Sequence, residues 1–89
     1  YAYMGEYEKL NKVVKKIEWD NNSANMLGRQ LSDALGYKFA INRNKDLKIT
    51  FRANNESLGE VLQKFKEVME PVADVVIIEK NKTFNIVYR

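Results

Sequence analysis

One pattern occurs twice in this chain, at a spacing of 34 residues. Ile17, Asn21, Ser23, Ala24, Leu27, Leu31, Ala34, Leu35 and Ile41 return as Phe51, Asn55, Ser57, Leu58, Val61, Phe65, Val68, Met69 and Val75. Apolar residues three and four apart mark one face of a helix, alternating ones mark a strand, and a serine between them supplies the oxygen that opens the helix. Each copy therefore predicts a strand, a polar turn holding asparagine, an amphipathic helix and a second strand. With 89 residues in all, the two copies must share one core, because a domain of this length buries only about 60% of its unfolded surface.

Around the repeat the pattern is legible segment by segment. Tyr3, Tyr7, Leu10, Val14 and Ile17 follow a helical stripe, which predicts a leading helix over about 4–14 and divides the chain into that helix (1–14) and the doubled domain (15–89). Ile17 and Trp19 then alternate with Lys16, Glu18 and Asp20, as on a half-buried strand over 15–20. Ser23 opens the first helix, with the stripe Ala24, Leu27, Leu31, Ala34 and Leu35, and Gly36 closes it. Phe39 and Ile41 read as a second strand, Asn42 to Asp46 as a polar turn, and Leu47, Ile49 and Phe51 as a third strand, so these two strands are expected to form a hairpin.

Ser57-Leu58-Gly59-Glu60 fits a reciprocal capping box, and Leu58, Val61, Leu62, Phe65, Val68 and Met69 continue as one apolar face until Pro71. Val75 to Ile78 is apolar on both faces, as in a central, doubly covered strand, and a turn through Lys80-Asn81-Lys82 leads to the alternating run from Thr83 to Tyr88. Two single-striped helices need sheet surface to bury themselves. The expected class is α+β: a duplicated β-α-β with a closing hairpin, its two helices packed between small two- and three-stranded sheets and preceded by an N-terminal helix.

The residue inventory argues against catalysis. The chain has no histidine and no cysteine, the side chains that shuttle protons near neutral pH and supply thiolate nucleophiles or soft metal ligands. Asp20, Asp33, Asp46, Glu56, Glu60 and Asp74 all fall in turns, caps or polar helix faces, as solvated carboxylates do. Asn42, Asn44 and Asp46 resemble a calcium loop, but Arg43 and Lys45 intrude and no glutamate closes the spacing. The glycines are isolated, which leaves no phosphate cradle. Arg29, Lys38, Arg43, Lys48 and Arg52 are candidates for an RNA-binding surface, yet there is no glycine clamp of the KH type, and Phe39 and Phe51 alternate into an apolar face. The reading is a chain with no enzyme activity, no cofactor, no metal and no nucleic-acid partner. Its longest apolar run, Val75 to Ile78, is far short of the roughly 20 residues that span a bilayer. The net charge of +3, scattered among both signs, bears mainly on solubility.

Four segments carry a resemblance. Ile17-Glu18-Trp19-Asp20, Leu35-Gly36-Tyr37-Lys38-Phe39, Ser57-Leu58-Gly59-Glu60-Val61-Leu62, and Val75 to Ile78 with Phe84 to Arg89 resemble, in order and spacing, the short N-terminal domain of secretins and TonB-dependent signalling receptors. They resemble more closely the DotD family of type IVB secretion and conjugation systems. The resemblance implies a periplasmic, outer-membrane-associated, non-enzymatic subunit, assembled with secretin-like and lipoprotein subunits as a ring-forming homo- or hetero-oligomer. Family members are lipoproteins; no lipobox cysteine stands in this chain, so contact with a membrane would run only through an anchor upstream of Tyr1. A domain of a secretin or TonB-dependent receptor that binds a periplasmic regulator is the alternative, and a small RNA-binding module a third.

Two surfaces are expected to make the contacts. Tyr3, Tyr7 and Leu10 form an apolar face that the doubled unit does not itself require, suited to docking as a lid or to a partner. Strand borders offer unpaired backbone groups to a partner's strand, and Thr50, Arg52, Asn85 and Val87 are the candidate positions there.

Overall fold

The computed structural model describes residues 10–89. The chain is α+β, with two helices and two small sheets: β1 (Val13–Ser23), α1 (Ala24–Leu35), β2 (Lys38–Ile41), β3 (Lys48–Ser57), α2 (Leu58–Met69), β4 (Ala73–Ile78) and β5 (Thr83–Tyr88). β1 and β3 form an antiparallel pair, and β2, β5 and β4 form a three-stranded sheet in that order, with β2 parallel and β4 antiparallel to β5. Each helix touches strands of both sheets. Leu27 and Leu31 of α1 and Val61 and Phe65 of α2 meet in one buried cluster with Phe51 from one sheet and Phe84 and Ile86 from the other. Phe65 stands at its centre, edge-on to Phe51 with ring centroids 6.4 Å apart and 6.2 Å from Phe84.

The repeat is visible in the backbone. Both helices are 12 residues long and start 34 positions apart. The serine before each accepts an N–H three residues on: Ser23 from Met26 and Ser57 from Glu60, each at 3.2 Å. Asn21 (φ 45°) and Asn55 (φ 53°) share the left-handed conformation, which asparagine tolerates better than most residues. In the β1–β3 ladder, Ile17 lies opposite Ala53 and Trp19 opposite Phe51; each pair is the 34-residue image of the other. The internal two-fold therefore passes between Glu18 and Arg52, which are register partners and counterparts. The same operation exchanges β2 with β4, one on either side of β5.

Several expectations are corrected. β2 and β3 do not pair. The two halves pair through β1 and β3, and the segment after β2 is held away by its own side chains: Asn42 bonds the backbone of Tyr88 through both its amide N–H (3.1 Å) and its carbonyl (2.7 Å). Val75 to Ile78 is not the central strand of its sheet; β5 is, and β4 forms a border with Val76 and Ile78 exposed. Only Leu10 and Asn11 of the leading helix fall among the described residues as helix, and β1 already begins at Val13, not at 15. The reason is pairing: Val13 and Val14 lie opposite Ser57 and Glu56, and the Lys12 carbonyl accepts the Leu58 N–H at 2.8 Å. Ala34 and Val68 face solvent, while Ser32 turns inward and returns its hydroxyl to the Arg29 carbonyl at 2.8 Å. The capping box is one-sided. The Glu60 carboxylate accepts the Ser57 hydroxyl at 3.1 Å, since Ser57 is still in the strand ladder opposite Val13.

Gly36 closes α1 in the left-handed conformation (φ 76°), its N–H on the Asp33 carbonyl at 3.0 Å and that of Tyr37 on Ser32 at 2.9 Å. Gly28, inside α1, answers a different need. A Cβ there would stand 2.8 Å from Ile86 Cδ1 and 3.0 Å from Phe39 Cε1, so its absence lets the helix settle close against the three-stranded sheet.

Candidate protein-binding surface

Alternation along the strands gives each sheet an inner face against the helices and an outer face toward solvent. The outer faces of the two sheets differ in chemistry. On the β1–β3 sheet stand Lys16, Glu18, Asp20, Lys48, Thr50, Arg52, Asn54 and Glu56, and several of them are paired. Lys16 pairs with Glu18 at 3.0 Å, Arg52 with Asp20, and Lys64 of α2 reaches Glu56 at 2.7 Å. The hydrogen bond from Lys64 is the main reason the Glu56 carboxyl titrates below its ordinary range. On the three-stranded sheet the outer face carries Ala40, Thr83, Asn85, Val87, Val76 and Ile78, with Lys38 and Asp74 at its margins. Val76 is 40% and Ile78 38% exposed, so apolar side chains stand in water there beside uncharged polar ones.

This sheet has two borders, and the repeat makes them comparable. At β2 the Arg29 guanidinium stacks over the Phe39 ring, 5.5 Å from its centroid, and closes the angle between α1 and the strand. Their 34-residue counterparts at β4 are Gln63 and Ala73, which leave that angle open. Two clefts follow it between α2 and β4. One, of about 250 Å³, is lined by Leu10, Tyr37, Leu62, Lys66, Ile77 and Glu79 among others; the second, of about 190 Å³, by Gln63, Glu70, Ala73 and Val75 among others. A border strand with apolar side chains and no covering element is a ready template for another strand. Among the described residues β4 is such a strand for its six residues, with one charged side chain, Asp74, which pairs with Arg89.

The expected contact residues divide accordingly. Tyr3 and Tyr7 lie outside the described residues. Leu10 is half-buried against the core and forms one wall of the larger cleft, close over Gly59. Thr50 and Arg52 lie on a border strand, but one whose outer face is occupied: the Thr50 hydroxyl oxygen accepts the Asn21 N–H at 3.2 Å where β1 bulges, and Arg52 is held by Asp20. Asn85 and Val87 belong to the central strand, where the backbone is paired on both sides, so they offer a face and no border. The Asn85 amide donates to the Val76 carbonyl at 3.3 Å and to Thr83 Oγ1 at 3.2 Å. Sequence reasoning missed Val76 and Ile78 as surface residues. The signal was present, an apolar run on both faces, but the same signal serves a buried strand.

The calcium-like loop has another use. Asp46 accepts the Ser23 hydroxyl and the N–H groups of Asn25 (3.1 Å) and Leu47 (2.8 Å), while the Ala24 N–H goes to the Leu47 carbonyl at 2.8 Å. The first three N–H groups of α1 are thereby satisfied by Leu47, Asp46 and Ser23. Partial burial pushes the Asp46 carboxyl up, but the bonds from Ser23, Asn25, Leu47 and Ala24 together outweigh it and hold it below the usual range. The Tyr88 hydroxyl donates to the side-chain amide oxygen of Asn25; burial, and next the charge of Asp46, raise its pKa above the ordinary tyrosine value. Among the described residues no group of acidic, histidine or cysteine side chains is placed to hold a metal ion, and no helix is long and apolar enough to cross a membrane. No protein-family model matches the chain, and no curated protein matches it significantly.

Proposed function

We propose that this chain is a non-enzymatic structural subunit of an outer-membrane secretion or conjugation core, of the DotD type, which joins secretin-like neighbours through its three-stranded sheet. The observation that carries the reading is the contrast between the two outer faces: one carrying solvent-exposed ion pairs, the other presenting Val76 and Ile78 on a border strand. Exposed apolar surface rimmed by polar residues is what protein contacts use. The segments that carry the resemblance stand at joints of the fold. Glu18 flanks the internal two-fold, Gly36 closes α1, Ser57 opens α2, and β4 with β5 builds the proposed contact face. A periplasmic location and a lipid anchor upstream of Tyr1 belong to the same proposal.

Photo-crosslinking in the native cell tests it. A photoreactive residue at Val76 or Val87 of the full-length protein is expected to capture an outer-membrane pore or lipoprotein subunit, whereas one at Thr50 captures far less. Adducts with RNA, or adducts from Thr50 alone, would contradict the reading.

A further inference from the structure

The open border of the three-stranded sheet has a sequence that complements itself. If a second β4 is laid antiparallel along the first with Ile77 opposite Ile77, residues of equal parity face the same side, so the inner faces of the two sheets stay together. In that register Val76 meets Ile78 of the second copy on the outer face, and Ile78 meets its Val76. Asp74 meets Lys80, the second residue of the turn that follows β4. Glu79 of the second copy lies opposite Val75, on the cleft side where Lys66 lines both cavities. Apolar cross-strand pairs and opposite charges directly across each stabilise such a contact, and like charges oppose it. Shifting the register by two residues, so that Val76 meets Val76 and Val75 meets Ile77, keeps the number of apolar pairs but places Asp74 against Ile78 and loses the charge pair.

We infer that the occupant of this border is a second copy of the chain, joined β4 to β4 about Ile77 to make a continuous six-stranded sheet. The contact is isologous, so it closes as a dimer. This deepens the assembly reading by naming one partner of its contact surface, and the two fail separately. Adducts at Val87, on β5 and outside the join, decide the assembly reading, and the association state of the isolated chain decides this one.

The test is sedimentation velocity on the full 89-residue chain over roughly 10 µM to 1 mM, the range for a contact smaller than a standard interface. A concentration-dependent dimer is expected. Ile78→Lys, at a site already in solvent, should weaken it at least ten-fold with an unchanged thermal melt. Lys80→Asp, which faces Asp74 across the join, should weaken it several-fold. Adding Asp74→Lys to that variant together with Arg89→Glu, which also exchanges the Asp74–Arg89 pair within each copy, should restore association to within a factor of two or three. A chain that is monomeric throughout, a dimer indifferent to Ile78→Lys, or a charge exchange that fails to restore association would each overturn the proposal.

Discussion

At the scale of single residues, two positions show how much of the fold depends on local chemistry. Asp46 receives the start of α1 from across a loop. Because its folded pKa lies below the unfolded value of 3.8, the stability it contributes is fully present above that value and is lost as pH falls through the folded one. Asp46→Ala is expected to lower stability at pH 7 by about 1 kcal/mol, the ordinary cost of a lost helix cap. The gap from wild type should close in strong acid, which denaturant titrations at the two pH values will check. Gly28 makes the opposite point. Alanine there would gain about 1 kcal/mol of helix propensity, but its methyl group would meet the fully buried Ile86 at 2.8 Å, and overpacking a filled core costs 1–3 kcal/mol, typically. A net loss near 1 kcal/mol is expected for Gly28→Ala, with most of it recovered on adding Ile86→Val, which removes the offending Cδ1 atom. Thermal melts of the single and double variants decide it.

At the scale of elements, the repeat explains both what could be read from the chain and what could not. Ser23 and Ser57, each followed by an apolar stripe, place both helix starts correctly, because caps and stripes are local signals. Pairing is not local. Asn42 to Asp46 has the composition of a hairpin turn, yet β3 is taken by β1, its counterpart in the repeat, and Asn42 is taken by the backbone of Tyr88. The wrong hairpin followed from a turn signal without its long-range competitor. The candidate contact surface was legible only in part: Val87 was expected at a border and lies on the central strand, and Val76 and Ile78 were assigned to the interior, since an apolar run does not tell a border from a centre. One element-scale prediction tests the repeat itself. Asn21 and Asn55 hold the same left-handed backbone, which a β-branched side chain resists at a cost of about 1–3 kcal/mol. Asn21→Val and Asn55→Val should therefore each destabilise by that amount, while Asn→Gly at either site should be near neutral; chemical denaturation of the four variants measures both.

At the scale of the molecule, the two halves contribute to one interior and yet present unlike exteriors. The internal two-fold between Glu18 and Arg52 requires like positions, not like residues, and the differences fall at the borders and outer faces. Arg29 over Phe39 closes one border; Gln63 and Ala73 leave the other open. Exposed ion pairs stand on one outer face, and valine and isoleucine on the other. A domain this small has a stability of about 5 kcal/mol. Phe65→Ala, at the junction of both sheets and costing about 3–5 kcal/mol, should therefore leave it only marginally stable, with a sharply lowered melting temperature by circular dichroism. The surface can vary where this core cannot. Amide hydrogen exchange, compared between the free chain and the assembled complex, addresses the central claim most directly. Added protection is expected along Ala73–Ile78, with the outer strand Val13–Ser23 unchanged; protection gained on Val13–Ser23 while Ala73–Ile78 exchanges as before would contradict it.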